Sequence, residues 1–272
     1  MLRGLGQNVI EPQPASVLVA RYLPMHAAVF GTVAAVAHPD ALKVGLAVAL
    51  WISGIVAVFH RTARVASFLL CSFASALLFP TIPNHGYVLC IALLIGAIFD
   101  TEIPTERVTM ADGFRYLGAI VLFWSGVQKL LGGTWTNGQL LAHEIGHSPR
   151  FWQAFGWMTD RAERHAYRTG GPFLGSTSLM VMSHFVWILE IAVGIGLLTS
   201  RAPMRKAAAI VALFLIAGIE VVAREGVFGI IMVALLLPVT NARFRARWLW
   251  LVVPIELLAI GGRLALVPGG FH

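Results

Sequence analysis

The pentapeptide HEIGH at positions 143–147 matches the H-E-x-x-H pattern of zinc peptidases. His143 and His147 are one helical turn apart, so both imidazoles would lie on one face and could bind the same zinc ion. Glu144 would then serve as the general base. Such a site needs a third protein ligand, and no recognisable downstream zincin motif marks one. Zinc bound by His143 and His147 in a membrane peptidase is therefore one hypothesis for this chain.

The residues that follow HEIGH limit the length of its helix. Ser148 and Pro149 are typical of an N-cap and the first position of a new helix, so the HEIGH helix should cover about 138–147 and end at its second histidine. Two other uses of the segment stay open. The histidines could serve another metal or a proton relay. Alternatively, the segment is an amphipathic helix in the membrane interface, with its apolar side chains toward lipid and the His and Glu side chains toward water.

Lys129 is the second candidate for chemistry, because it lies in the apolar stretch LFWSGVQKLLGGTW. A lysine near the outer end of a membrane span can extend its ammonium group to the interface. In the alternative, apolar surroundings disfavour the charged form of a lysine, and the neutral amine becomes a usable base at neutral pH. Gly126, three residues earlier, leaves room for a neighbouring helix or a ligand.

The composition indicates that most of the protein surface contacts lipid. Of the 272 residues, 58% are hydrophobic and 12% are charged, and the mean hydropathy is +0.79. A soluble domain needs more charge to cover its surface, so a soluble enzyme is excluded. The basic residues, which give a net charge of +7, lie between the apolar segments rather than on one face. They indicate membrane orientation and argue against nucleic acid as a partner.

The apolar segments predict about eight or nine transmembrane helices, since a bilayer core needs roughly 20 apolar residues per helix. Nine spans is the first expectation, and eight is the alternative because the first span carries Arg21, Pro24 and His26. Lys and Arg are more frequent in the short loops on one side, which predicts a cytoplasmic N-terminus and an outer C-terminus. The candidate spans are 15–37, 41–59, 65–82, 86–99, 113–132, 178–199, 206–223, 226–239 and 247–266.

We expect residues 1–272 to form a single all-α transmembrane domain, with one long outer loop at about 133–177 that contains short interfacial helices. The N-terminal segment lacks the pattern of a removable signal peptide. Several ionisable residues fall within the spans, and burying each costs roughly 2.5–3.5 kcal/mol on insertion scales. They should face the bundle interior, as ion pairs or as the lining of a polar cavity. These residues are Arg21, His26, Lys129, His184, Glu190, Glu220, Glu256 and Arg263.

The segment FWSGVQKLLGGTWTNGQLL resembles part of the vitamin K-dependent γ-carboxylases and their bacterial relatives, the HTTM (horizontally transferred transmembrane) proteins. The later segment EVVAREGVFGIIMVALLL is similar to the penultimate hairpin of HTTM proteins, where a histidine would be expected near Glu220. The resemblance covers about residues 10–245, with about fifteen residues as its specific part. The matching positions are Gly126, Lys129, Leu130, Trp135 and Gly138.

This resemblance implies a quinol as the cofactor. In the carboxylases, the lysine that matches Lys129 is regarded as the base that deprotonates reduced vitamin K. The quinol then reacts with oxygen to give a strongly basic alkoxide, which removes a γ-proton from a substrate glutamate so that carbon dioxide can add. The carboxylases also carry a large lumenal domain for the substrate propeptide, which is not expected here. The residues that would bind the quinol are Gly126, Trp135, His184, Glu190 and Glu220.

Three functions therefore compete. The first is a quinol-dependent carboxylase-like enzyme or oxidoreductase with Lys129 as base. The second is a zinc peptidase using HEIGH. The third is a non-catalytic subunit of a larger membrane complex, whose intramembrane charges pair during assembly. The expected partners are the lipid bilayer and either other membrane subunits or a peptide substrate, and the expected location is a bacterial inner membrane.

Overall fold

The structure is a computed structural model that describes residues 12–37, 40–77, 84–159, 163, 175–222 and 227–245. These residues are largely helical, which confirms the all-α class. The ten α-helices of the described ranges are α1 (Ala15–Ala37), α2 (Ala41–Ala57), α3 (Arg61–Leu77), α4 (Asn84–Ile98), α5 (Pro104–Leu131), α6 (Gln139–His147), α7 (Pro149–Phe155), α8 (Thr177–Leu198), α9 (Ala202–Val222) and α10 (Val227–Leu236). Two 3₁₀ turns (Gly156–Met158 and Leu237–Thr240) and two strands, β1 (Pro12–Pro14) and β2 (Arg243–Arg245), complete this set.

Within the described residues, three helices are long and apolar enough to cross a membrane, judged by length and composition: Ala15–Val33, Thr177–Leu198 and Ala202–Glu220. Three shorter apolar helices accompany them, namely Ala41–Ala57, Asn84–Ile98 and Phe228–Thr240. This number is smaller than the eight or nine spans that the sequence predicted. The ninth predicted span, 247–266, with Glu256 and Arg263, lies outside the described residues.

Helix boundaries follow the apolar segments closely, with three informative exceptions. α3 begins at Arg61, α5 at Pro104 and α9 at Ala202, several residues before the apolar spans predicted from 65, 113 and 206. The first turn of each of these helices contains charged side chains, so an apolar count misses it although the backbone is already helical. Side-chain caps mark the start of two other helices. Asp40 accepts a hydrogen bond from the backbone N–H of Lys43, which also lowers the pKa of Asp40, and Ser176 caps α8.

The chain divides into two compact units, and α5 contributes its first half to one and its second half to the other. The first unit comprises residues 1–117 and 226–272. Among its described elements, α1 packs against α2, α3, α4 and α10, and 78% of its apolar segment is buried inside the protein. A helix that is buried on nearly every face is expected to be apolar on nearly every face, and α1 is so apart from Arg21 and His26. The antiparallel pair β1–β2 places Gln13 opposite Phe244 in the same unit.

Polar contacts between helices also hold the first unit together. Trp51 of α2 donates its indole N–H to the hydroxyl of Thr32 in α1 at 2.9 Å. Ser67 of α3 donates to Ser53 of α2, also at 2.9 Å, and both serines are buried. Such interhelical hydrogen bonds fix the rotation of apolar helices, which have few other directional contacts.

The second unit, residues 118–225, exposes much more apolar surface. Only 28% of the apolar segment of α8 is buried inside the protein. Large exposed side chains cover the outer faces of α8 and α9. An exposed surface of this kind requires an apolar neighbour, for which a lipid bilayer is the simplest candidate. These side chains include Val181, Phe185, Ile188, Ile195 and Phe214.

The HEIGH helix is α6 of this unit, and its bounds confirm the predicted end at His147 and a new helix from Pro149. Leu141, Ala142 and Ile145 are buried and cluster with Leu179 of α8. The interfacial hypothesis directed the apolar side of α6 into the headgroup layer. The structure instead packs Leu141 and Ile145 against protein, because α8 begins beside them.

Candidate functional site

Lys129 and Glu190 form an ion pair within the second unit. Lys129 lies in the last turn of α5 and Glu190 near the middle of α8. The Lys129 Nζ lies 2.7 Å from both carboxylate oxygens of Glu190. The Glu190 side chain is 2% exposed and that of Lys129 is 17% exposed. The pair is therefore withdrawn from solvent and open only at the lysine edge.

Two further groups complete the surroundings of the lysine. The hydroxyl of Ser125, one turn earlier in α5, accepts a hydrogen bond from Lys129 Nζ at 2.8 Å. Three N–H donors are available on an ammonium group, so Ser125 and the two carboxylate oxygens use all of them. The indole ring of Trp135 lies 5.2 Å from Nζ, within the range of a cation–π contact.

Glycines allow the two helices to approach closely enough for this pair. A Cβ atom on Gly126 would lie 2.8 Å from the backbone oxygen of Trp187 and 2.7 Å from the Ile191 side chain. A Cβ atom on Gly194 would lie 2.8–2.9 Å from atoms of Phe123. Real Cβ atoms do not come so near to backbone atoms, and small residues are what permits close packing of membrane helices. Gly126 therefore serves helix contact, which was one of its two predicted uses.

The position of Glu190 corrects one expectation from the sequence. The neighbours of Lys129 along the chain are apolar, which led to the prediction of a lysine in apolar surroundings. Its neighbours in space include a buried carboxylate and a hydroxyl. A carboxylate at this distance supplies a direct counter-charge, which apolar surroundings would lack. The candidate site is thus a lysine–glutamate pair and not a lone amine.

The remaining predicted quinol ligands are placed as follows. His184 lies in α8, and its Nδ1 accepts a hydrogen bond from the Trp187 indole at 2.9 Å. Glu220 lies in the last turn of α9 and is half-buried. The Lys129 ammonium group is thus in contact with Glu190 and Trp135. Gly126 lies at the helix contact beside it.

The two HEIGH histidines occupy the exposed face of α6. Their rings stack at a centroid distance of 4.1 Å, and the Nδ1 of His143 lies 3.7 Å from Glu144. The backbone oxygen of His143 lies 2.9 Å from Nδ1 of His147. Within the described residues, no group of three or more His, Cys, Asp or Glu side chains could hold a metal ion. The third zinc ligand is therefore not found in that part of the chain.

Sequence reasoning missed Ser125 and Trp187 as parts of this site. Ser125 had a detectable signal, because it precedes Lys129 by four positions and so shares its helix face. Trp187 had a weaker signal in the sequence. Its backbone oxygen lies at the Gly126 contact, and its indole N–H donates to His184. Neither contact can be read from the residue type alone.

Comparisons of the chain with family models, with curated proteins and with solved structures gave no match. The residues and their geometry therefore provide the basis for a functional assignment.

Proposed function

We propose that this chain is an integral membrane protein in which Lys129 and Glu190 transfer a proton from a lipid-soluble quinol. The observation that carries the proposal is the buried pair itself, with both carboxylate oxygens 2.7 Å from the ammonium group. Burying two charges in an apolar bundle is expensive, and replacement by apolar residues is often neutral or stabilising. A pair retained at that cost, with an aromatic ring beside it, is typical of a site that uses the charges.

The geometry sets the order of proton movements. All three N–H donors of Lys129 are engaged, so the amine can act as a base only after one proton has moved to Glu190. The carboxylate oxygens are near enough for that transfer. The neutral amine then takes the proton of a quinol hydroxyl and leaves an anionic quinol oxygen beside the new ammonium group. Lys129 is the base in this proposal, and Glu190 holds the lysine proton beforehand.

A quinol ring also fits the chemistry of the surroundings. Lys129 is the more exposed member of the pair, so a substrate would meet the amine before the carboxylate. The Trp135 ring near Nζ offers a flat apolar surface. The apolar exterior of α8 and α9 suits a substrate that arrives through lipid.

The test replaces the lysine by arginine in the purified full-length chain. Lys129→Arg keeps the positive charge and the pairing with Glu190, but guanidinium stays protonated at any working pH. We expect this variant to fold and insert normally but to lose the oxidation of added quinol by dissolved oxygen, which is measured as the rise in quinone absorbance. Lys206→Arg, an exposed substitution in α9, is the matched control. Wild-type turnover in both Lys129→Arg and Lys129→Ala would remove Lys129 from the mechanism.

The proposal includes a membrane topology of eight or nine spans in a bacterial inner membrane, with a cytoplasmic N-terminus. The greater number of Lys and Arg residues in alternate short loops supports it. A reporter inserted beside Arg164 should therefore behave as external, and one beside Arg201 as cytoplasmic. Labelling of intact cells with a membrane-impermeant reagent measures both positions. A cytoplasmic Arg164 would reverse the whole orientation.

The two other functions predict different results. The assembly-subunit hypothesis requires intramembrane charges that pair with charges of other chains. Lys129 and Glu190 instead pair with each other within this chain. In the peptidase hypothesis, about one zinc per chain should be present, and His143→Ala with His147→Ala should remove it. Metal analysis of the purified protein decides that point independently of the quinol assay.

A further inference from the structure

Arg64 is a buried cation whose charge has no direct counter-ion among the described residues. It lies in the first turn of α3 and is 4% exposed. Its Nε and Nη1 atoms are buried and have no hydrogen-bond partner in that part of the chain. An unpaired buried guanidinium is among the most expensive groups that a protein can contain. Its presence indicates that something else supplies the missing negative charge.

The nearby carboxylates are already engaged by other arginines. The charged groups that act on Arg64 most strongly are Arg21, Asp100, Arg61 and Glu102. Arg21 of α1 pairs with Glu102 at 3.2 Å, and Arg61 pairs with Asp100 at 3.8 Å. Three arginines therefore face two carboxylates, which leaves one positive charge in excess at this place.

The backbone increases the positive potential there. Arg64 lies in the first turn of α3, where the helix dipole carries partial positive charge. The partial negative charge at the end of α4 is offset by Arg61, whose guanidinium donates to the backbone oxygens of Ala97 and Ile98. The neighbouring polar backbone therefore does not compensate Arg64.

We propose that Arg64, together with Arg21 and Arg61, binds a phosphate-type oxyanion. Arginine side chains match the oxygens of a phosphate group better than a halide, and Arg64, Arg21 and Arg61 can each donate to a different oxygen of one such anion. A lipid headgroup and free inorganic phosphate share this chemistry. The site belongs to the first unit and uses none of the residues of the Lys129–Glu190 pair.

Glu102 provides the means of entry. Its side chain is 72% exposed while that of Arg21 is largely buried, so the carboxylate can swing away into solvent. An arriving phosphate would replace Glu102 as the partner of Arg21 and would reach Arg64 beside it. Glu102 is thus a competitor of the ligand, and its removal should strengthen binding.

The experiment measures the thermal unfolding midpoint of the full-length chain in a phosphate-free detergent. Inorganic phosphate is titrated at constant ionic strength in one arm, and the anionic lipid phosphatidylglycerol is added in the other. We expect a saturable rise of the midpoint in at least one arm. A rise with the lipid alone assigns a headgroup, and a rise with both assigns the phosphate group itself. No rise in either arm overturns the proposal.

Three variants show whether the response belongs to this site. Arg64→Met should weaken the apparent affinity by roughly tenfold or more, because charge-assisted hydrogen bonds are lost. Glu102→Gln should bind more tightly than the wild type. Lys206→Gln, an exposed change in α9, is the control and should match the wild type. Wild-type affinity in Arg64→Met contradicts the proposal. If Arg64→Met does not fold, an unchanged affinity in Glu102→Gln contradicts it instead.

Discussion

Lys129 in the second unit and Arg64 in the first are both buried cations, but their counter-charges come from different places. The lysine meets Glu190 of another helix, and its three donors are all used. The arginine has two other arginines near it, and the carboxylates that could balance it are paired elsewhere. One chain thus satisfies a buried charge internally at one place and leaves another without a counter-ion among the described residues.

The location of each cation explains the difference. Lys129 and Glu190 face each other between two apolar helices, so the carboxylate of one helix supplies the counter-charge for the ammonium group of the other. Arg64 lies at the start of α3, close to the polar turn between α4 and α5 that carries Asp100 and Glu102. A helix end near such a turn can receive a charged group from water or from lipid headgroups.

The largest effect should come from breaking the internal pair. Glu190→Leu leaves the Lys129 ammonium buried without its carboxylate, so the free energy of unfolding should fall by about 3–5 kcal/mol. Reversible unfolding in mixed detergent micelles measures it. The double variant Lys129→Met with Glu190→Leu should recover most of this loss, since no charge then remains unpaired. If the double variant is as unstable as the single one, the loss reflects packing and not charge.

Close approach of the helices should be the next most sensitive feature. Gly126→Ala places a methyl group against the backbone of Trp187, so we expect a loss of about 1–3 kcal/mol from overpacking. Gly218→Ala in α9 is the matched control, because a Cβ there meets nothing within 4 Å. The control should be neutral or gain up to about 1 kcal/mol from helix propensity. Equal effects at both glycines would contradict a role of Gly126 in positioning Lys129 against Glu190.

The smallest expected effect is that of removing Arg64, and its sign is opposite to the effect of removing Lys129. In phosphate-free detergent, Arg64→Met removes a charge that has no counter-ion, so the free energy of unfolding should stay the same or rise by about 1 kcal/mol. Lys129→Met, measured in parallel, should lower it because Glu190 is then left buried and alone. A loss of stability in Arg64→Met under these conditions would show that the chain itself already compensates Arg64.

Much of the fold follows from local sequence. The apolar runs gave the bounds of α1 and α8 to within a residue, and the Ser148–Pro149 pair correctly ended α6 at His147. Lys129, Glu190, Trp135 and Gly126 were all predicted to share a site. The helix bounds depend on residues within a turn or two of each other, where helix periodicity and capping act, whereas the shared site was predicted from the resemblance to a known family.

Other features were beyond local reasoning. The sequence marked Lys129 and Glu190 as site residues, but their direct pairing across 61 positions could not be inferred from either segment. It depends on the rotation of α5 and α8, which is set by the contacts of Gly126 and Gly194. Arg64 was counted only as a basic residue of a short loop, because its burial becomes visible only when α3 is packed.

The sequence by itself determined that this chain forms apolar helices, where most of them begin and end, and which of them carry charges. Those outcomes come from hydropathy, capping and periodicity, which act over a few residues. Only the tertiary structure decided which charges neutralise each other and which stays without a counter-ion among the described residues. That outcome depends on which helix faces meet, and the energy of a buried charge is set by its neighbours in space.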